Sequence, residues 1–243
     1  FESMGGRVLN GLTSNVNVPI VTAAATIASA AEGANVASAA SAVGARNLTP
    51  TRYGAFVTVT EQLMMQGGPA VEQLITNDMI TQLNRQIDKA VFDTIIGTGD
   101  GDNVAQVSAA QMIVGEAALI AAGVDLRNVK VIADSVAHAL LADEPIVAGV
   151  NPAIDRTSAG NFNALGYPYA VTDLLPANGV PADGSLIMFD PNQAAVLGLF
   201  GGLDIVVNPY AMDLSHQVRI SIHRYADSAV LHAGAAYTFH DEA

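Results

Sequence analysis

The feature that most constrains this chain is a run of apolar residues at three- and four-residue steps. After Gly67-Gly68-Pro69, the residues Val71, Leu74, Ile75, Met79, Leu83, Ile87, Val91 and Ile95 recur with helical spacing. The run crosses about 27 residues without Pro or Gly, which is about 40 Å of helix at 1.5 Å per residue. Pro69 is placed to open the helix. Glu72 suits its positive end, and Gly97 stands where a C-terminal cap is wanted. A helix more than twice the usual length is a girder, and the rest of the chain must be arranged along it.

What precedes the girder has another character. Residues 1–18 are rich in Gly and Asn and lead into Val16-Asn17-Val18-Pro19-Ile20, an alternating run that reads as a strand. Phe1-Glu2-Ser3 shows no initiator Met and no signal-peptide pattern. Either the numbering begins where order begins or a protease has removed an earlier segment; the sequence leaves both open. In residues 21–45, twelve of the 25 are Ala, and Glu32 is the sole charge. Gly33, Gly44 and scattered Thr, Ser and Val interrupt any helical stripe, so the stretch reads as a long extended excursion unable to build its own core. It is either a loose surface loop or an arm ordered by lying on neighbouring subunits. The chain returns through Leu48-Thr49-Pro50 into the β-branched run 56–60. Residues 16–20 and 56–60 are therefore expected to be the two roots of one protruding hairpin.

Beyond the girder, Gly97-Thr98-Gly99-Asp100-Gly101-Asp102-Asn103 reads as a turn. Residues 112–122 suggest a second helix and 129–133 a strand, followed by an Asp134/Ser135 cap and a helix through Leu141. Residues 143–168 read as a long loop region. Strands are expected at 170–172, 185–189, 203–207 and 217–223, with a short helix at 192–199. A final strand pair is expected at 228–233 and 236–239, before the acidic end Asp241-Glu242.

Composition bounds the function. With 51% hydrophobic and 14% charged residues the chain is not disordered as a whole. It has no Cys, which removes disulfides, thiolate zinc sites and cysteine nucleophiles. A formal net charge of -13 argues against a basic face that grips phosphate. No apolar run approaches the ~18 residues of a membrane span. Copies of the same chain are the natural cover for so much small apolar surface.

Chemistry-bearing patterns are sparse. Asp100 and Asp102 lack the spacing of a calcium loop, and no Lys follows a Gly-rich turn. Of His138, His216, His223, His232 and His240, the acid pairings considered are His138 with Asp134 and His223 with Asp227. The first pair reads as a helix cap. Ser221, His223 and Asp227 make a triad on paper, but no Gly-x-Ser-x-Gly elbow supports it, and strand alternation is expected to separate Asp227 from the others. Arg46 and Arg52 lie close before Tyr53 without forming a basic stripe, and Asp143-Glu144 before Pro145 reads as a solvated turn. We therefore expect no catalytic, cofactor-binding or metal-ligating residues, and no enzyme.

The order of these parts resembles the tailed-phage major capsid protein family, the Hong Kong 97-type fold. The resemblance rests on Asn17-Val18-Pro19-Ile20 entering a small-residue loop, the return Leu48-Thr49-Pro50-Thr51-Arg52, and Val57-Thr58-Val59-Thr60-Glu61-Gln62-Leu63. It continues through the helix with Gln73-Leu74-Ile75-Thr76-Asn77-Asp78 and the Gly/Asp turn that follows. Later come Leu165-Gly166-Tyr167-Pro168, Gly201-Gly202-Leu203-Asp204-Ile205 and Ile220-Ser221-Ile222-His223-Arg224-Tyr225-Ala226-Asp227.

The resemblance implies an α+β fold. Residues 1–18 would be an N-terminal arm and 19–60 an extended loop. Residues 61–104 would be a peripheral domain with the spine helix at 69–97, residues 105–218 an axial domain, and 219–243 a return to the peripheral domain. It implies a structural subunit of hexamers and pentamers in an icosahedral head around double-stranded DNA, assembled in the host cytoplasm. Portal, scaffold or maturation protease and a decoration protein are the implied partners, with no membrane and no cofactor. Some members cross-link through a Lys on the extended loop; this chain has only Lys89 and Lys130, so no such cross-link is expected. An encapsulin-like nanocompartment shell is the alternative on the same fold, and a soluble α/β hydrolase a reading of another class.

Overall fold

The computed structural model describes residues 1–23, 27, 29–33, 35, 41–67, 69–98, 100–103, 107–143, 145–147, 151–152, 154–158, 161–175, 184–212 and 215–240. Residues 24–26, 28, 34 and 36–40 of the Ala-rich stretch, Gly68, Gly99, Glu144 and the Asp241-Glu242 end lie outside the described residues. In chain order the first elements are β1 (Arg7–Leu12), β2 (Val16–Ala23), β3 (Ala42–Leu48), β4 (Thr51–Thr60), α1 (Glu61–Gly67) and α2 (Pro69–Thr98). Then come β5 (Asp100–Asn103), α3 (Ala109–Ala121), β6 (Lys130–Ala133), α4 (Ser135–Asp143), β7 (Pro145–Val147), β8 (Asn151–Pro152) and β9 (Ile154–Ser158). The last are β10 (Asn161–Ala164), β11 (Tyr167–Val171), β12 (Leu186–Phe189), β13 (Ala195–Met212), β14 (Gln217–Val230) and β15 (Ala236–His240).

The girder is present as α2, 30 residues long. Its stripe faces inward from Met79 onward: Met79, Leu83, Ile87, Val91 and Ile95 are buried, together with Phe92. In the first two turns Ile75 packs half-buried against the core, while Leu74 is exposed. Gly97 is not a left-handed cap, because the helix runs through it to Thr98. Beneath α2 lies a four-stranded sheet in the order β1-β13-β14-β4. Ile220, Ile222 and Ala226 of β14 and Leu197 and Leu199 of β13 share one buried cluster with the helix stripe. Burying each of these Ile and Leu side chains contributes about 1.5–3 kcal/mol, so this seam is a main source of stability.

A seven-stranded sheet in the order β5-β15-β12-β6-β11-β10-β9 forms the other half. α3 packs on its β15 and β12 strands and α4 on β6. Ser108 opens α3 with a capping box: its hydroxyl accepts from Gln111 N at 3.4 Å, while Gln111 Oε1 accepts from Ser108 N at 3.0 Å. Gly115 lets α3 approach β15, since a Cβ there would meet the Phe239 ring at 2.8 Å. Gly184, at φ +69, passes α4 so closely that a Cβ would lie 2.5 Å from Ala137 N. As expected, Asp134 caps α4, its Oδ1 accepting from Ala137 N at 2.7 Å. The same buried cluster continues into this sheet through Val131, Ile132, Ile187, Met188 and Phe239, so the two halves share one core. Arg85 of α2 also bridges to Asp173 just after β11.

Several sequence expectations are corrected. Residues 192–199 are not a helix. Buried Asp190 accepts from Asn192 N at 3.0 Å and Gln193 Nε2 at 2.9 Å, closing a turn, and Ala195 begins an 18-residue strand. Leu197 and Leu199 belong to the main core, while Val196 and Phe200 belong to a second cluster on the opposite face. A strand covered on both faces shows no alternation, which is why it resembled a buried helix.

The roots of the hairpin are also different. β2 pairs with β3, with Val16 opposite Leu48, whereas β4 leaves the hairpin and pairs with β14 from Gln217↔Thr60 to Ala226↔Thr51. The expected strand at 228–233 is the end of β14, and β15 pairs with β12 and β5 instead. Residues 100–103 form an edge strand, and 143–168 contribute short strands, because ladder hydrogen bonds order segments that have no apolar pattern. The short helix α1 also had no counterpart in the expectations.

Candidate functional site

The projecting part of the molecule is the ribbon β2–β3. Its pairing runs from Val16↔Leu48 at the base to Ala23↔Ala42, the outermost described pair. At the base, Val18 and Leu48 are buried against Val196 and Phe200, a cluster that Leu9 and Leu12 complete. Farther out, Val21, Thr22, Val43 and Ala45 are exposed. In this outer part Thr22 Oγ1 donates to Ala42 O at 3.1 Å, within the ribbon itself. A two-stranded ribbon is marginal in water by itself. Its base is what holds it, and the outer residues described are exposed.

One carboxylate locks that base. Asp227 on β14 accepts from Thr49 N at 2.7 Å and from Thr49 Oγ1 at 3.4 Å. The bond is charge-assisted and joins residues 178 apart in sequence. It fixes the chain where it leaves β3 and turns into β4. Between β4 and α2 lies a cavity of about 420 Å³ lined by Arg52, Tyr53, Val57, Met79, Leu83 and Ile222 among others. Burial pushes the Tyr53 hydroxyl up, with Asp227 and Asp93 adding to the effect. On the other face of β4, exposed Phe56 lies under the Arg219 guanidinium at 5.9 Å.

The structure separates the sequence's candidates for chemistry. Ser221, His223 and Asp227, all odd-numbered, share one face of β14, so strand alternation does not divide them as expected. They still fail to meet. Ser221 Oγ donates to Val206 O at 3.3 Å, Asp227 is taken by Thr49, and His223 stands about 13 Å along the strand from Asp227. His138 Nδ1 lies 3.2 Å from the Tyr169 hydroxyl and their rings stack, while Asp134 caps the helix beneath. Burial raises Tyr169, so its hydroxyl stays protonated. His216 pairs with Glu61 at 3.4 Å on the surface. Asp100 and Asp102 lie in edge strand β5, and no group of three or more His, Asp or Glu that could hold a metal exists among the described residues. No helix among them is long and apolar enough to cross a membrane. Both lysines are engaged within their own subunit: Lys89 Nζ with Asp93 at 2.8 Å, Lys130 Nζ with Met4 O at 2.6 Å.

A long helix on a four-stranded sheet, a ribbon projecting from its edge, and a second sheet with flanking helices define the Hong Kong 97-type fold. This chain belongs to the phage capsid family, whose sequence model matches residues 3–239. It is a structural phage capsid protein, and its place is the virion. Solved structures agree in fold. The capsid of a native GTA particle matches at TM-score 0.75 and 14% identity, covering 98% of this chain and 88% of that one. Gordonia phage Cozz matches at TM-score 0.73 and 16% identity, covering 100% and 86%. The capsid of cyanophage P-SCSP1u matches at TM-score 0.70 and 12% identity, covering 98% and 86%. Compared by sequence with curated proteins, the chain has no match.

Sequence reasoning located the excursion but missed the residues that anchor it. The Thr49–Asp227 clamp carries no local signal, Val196 was assigned to a helix, and Phe200 to no element. Leu48, read only as part of the return, is the fully buried pivot.

Proposed function

We propose that this chain assembles with copies of itself into the hexamers and pentamers of an icosahedral tailed-phage head enclosing double-stranded DNA. The observation that carries this reading is the β2–β3 ribbon, clamped at its base by Leu48 and Asp227 while its outer faces contact nothing in its own core. Small side chains there lose little rotamer freedom when laid across a neighbour. We assign α2 and the four-stranded sheet to the peripheral domain, and the seven-stranded sheet with α3 and α4 to the axial domain. On this assignment Ala195–Met212 is peripheral, although the sequence suggested axial for 105–218, and Ala236–His240 is axial. The arm at 1–18 contributes β1 to the peripheral sheet, and the extended loop is the ribbon within 16–48 rather than all of 19–60. Processing by a maturation protease, a scaffold, a portal and a decoration protein complete the reading, with assembly in the host cytoplasm.

The net charge of -13 suits a wall that must release its DNA, since like charges limit adhesion. Purified particles should be megadalton icosahedra by light scattering and negative stain, with a nucleic-acid absorbance at 260 nm when filled. A stable monomer or dimer at every concentration would overturn the proposal. Cargo protein in place of DNA would make the shell a nanocompartment.

The ribbon has no lysine, and the two lysines elsewhere are held by Asp93 and Met4. The shell is therefore held without Lys-mediated covalent links. Boiled particles should run as one band of 25.0 kDa on a denaturing gel. A ladder of covalent multimers is the contrary result.

A further inference from the structure

The helix α3 is apolar on the side that its own subunit leaves bare. Its inner face, Ala109, Met112, Gly115 and Leu119, is buried. Every residue of the helix that is exposed is also apolar: Ala110, Ile113, Val114, Ala117, Ile120 and Ala121. Ile113 is 56% exposed, Val114 50% and Ile120 55%. At about 100° per residue these six fall within an arc of about 120°, a continuous stripe running the length of the helix. Glu116 is the sole charge of α3 and lies outside that arc, hydrogen-bonded to Tyr167. A surface helix ordinarily turns charge to solvent, and one that is apolar all round is a helix buried on all sides.

We infer that the outer stripe of α3 is a seam between subunits, covered in the assembled shell by a second copy of this chain. The inference rests on the shell proposed above. Charge selects the occupant. A chain of net charge -13 repels its own copies, so two copies come together most readily through a face that carries no charge. That same face offers nothing to the phosphates of DNA, which are recognised by Lys and Arg. A membrane-surface helix would rim its apolar stripe with Lys or Arg, and α3 has neither. The alternation of Ile113, Val114 and Ile120 with the small Ala110, Ala117 and Ala121 leaves grooves that admit a neighbour's side chains at close helix spacing. One stripe is smaller than the ~800 Å² per partner of a standard interface. It closes only within a ring, where each copy adds its other contacts, and does not by itself hold a dimer in solution.

The absence of Cys gives a direct test. Ile113→Cys and Ile120→Cys each introduce the one thiol of the chain at a surface position that the subunit's core does not use. Maleimide labelling is followed in dissociated subunits and in empty shells formed by the purified chain alone, where only another copy can provide cover. Both thiols should label readily in subunits and at least tenfold more slowly in shells. Equal rates in shells and subunits at both positions would overturn the seam while leaving the shell intact. Free labelling in empty shells with protection only in DNA-filled ones would assign the face to the genome and overturn it too. A chain that forms no shell overturns the proposed function and this inference with it.

Discussion

Subunits carrying Ile87→Pro should neither fold stably nor appear in particles. Ile87 sits in the middle of α2, 18 residues into a 30-residue helix, and is buried against the four-stranded sheet. Proline there removes the hydrogen bond to the carbonyl of residue 83 and pushes its ring into that carbonyl, which costs about 3 kcal/mol or more. The Ile side chain is lost from the core at the same time, which costs roughly a further 1–4 kcal/mol because proline refills only part of the space. A domain is stable by about 5–15 kcal/mol in total, so the two losses together approach the whole margin. Circular dichroism should show a much lowered or absent cooperative melt, and sedimentation should show no particles. Normal shells from this variant would mean that α2 is not the element that spans the subunit.

The second large effect separates folding from assembly. Ile20 and Gly44 are paired across the ribbon, so residues 21–43 can be replaced by an Asn-Gly turn that closes a two-residue hairpin. The described residues removed belong to neither buried cluster, and the base at Val18 and Leu48 remains. The subunit's melting temperature should therefore move by no more than a few degrees, the equivalent of under about 1 kcal/mol. Shell yield, read by light scattering, should fall to background, because the surface that reaches beyond the subunit has gone. A subunit that melts far lower would show the ribbon to be part of the fold. Shells at wild-type yield would remove it from assembly.

The two experiments touch features of unequal visibility in the sequence. Met79, Leu83, Ile87, Val91 and Ile95 repeat at helical spacing because one face of α2 is buried, so the helix could be read directly. The excursion at 21–45 was equally plain, since 12 Ala and one charge in 25 residues cannot build a core. The anchor was not plain. Leu48 is buried by Val196 and Phe200, and Asp227 reaches Thr49 across 178 positions. Nothing within ten residues of any of them records that meeting. The outward face of α3 sits between these cases: its apolar residues are evident in the sequence, but which of them face outward depends on where β15 and β12 lie.

The sequence by itself determined the long helix, the small-residue excursion and the cap at Asp134. These are local properties, set by side-chain periodicity and composition over a few turns. Only the tertiary structure decided that residues 195–200 are a strand, that the hairpin closes at Val16 and Leu48, and that residues 100–103 join the edge of a sheet. In each of these the deciding energy comes from a partner distant in sequence. A strand buried on both faces has no period of two, and an edge strand of Gly, Asp and Asn is held by backbone hydrogen bonds that every residue but proline can make.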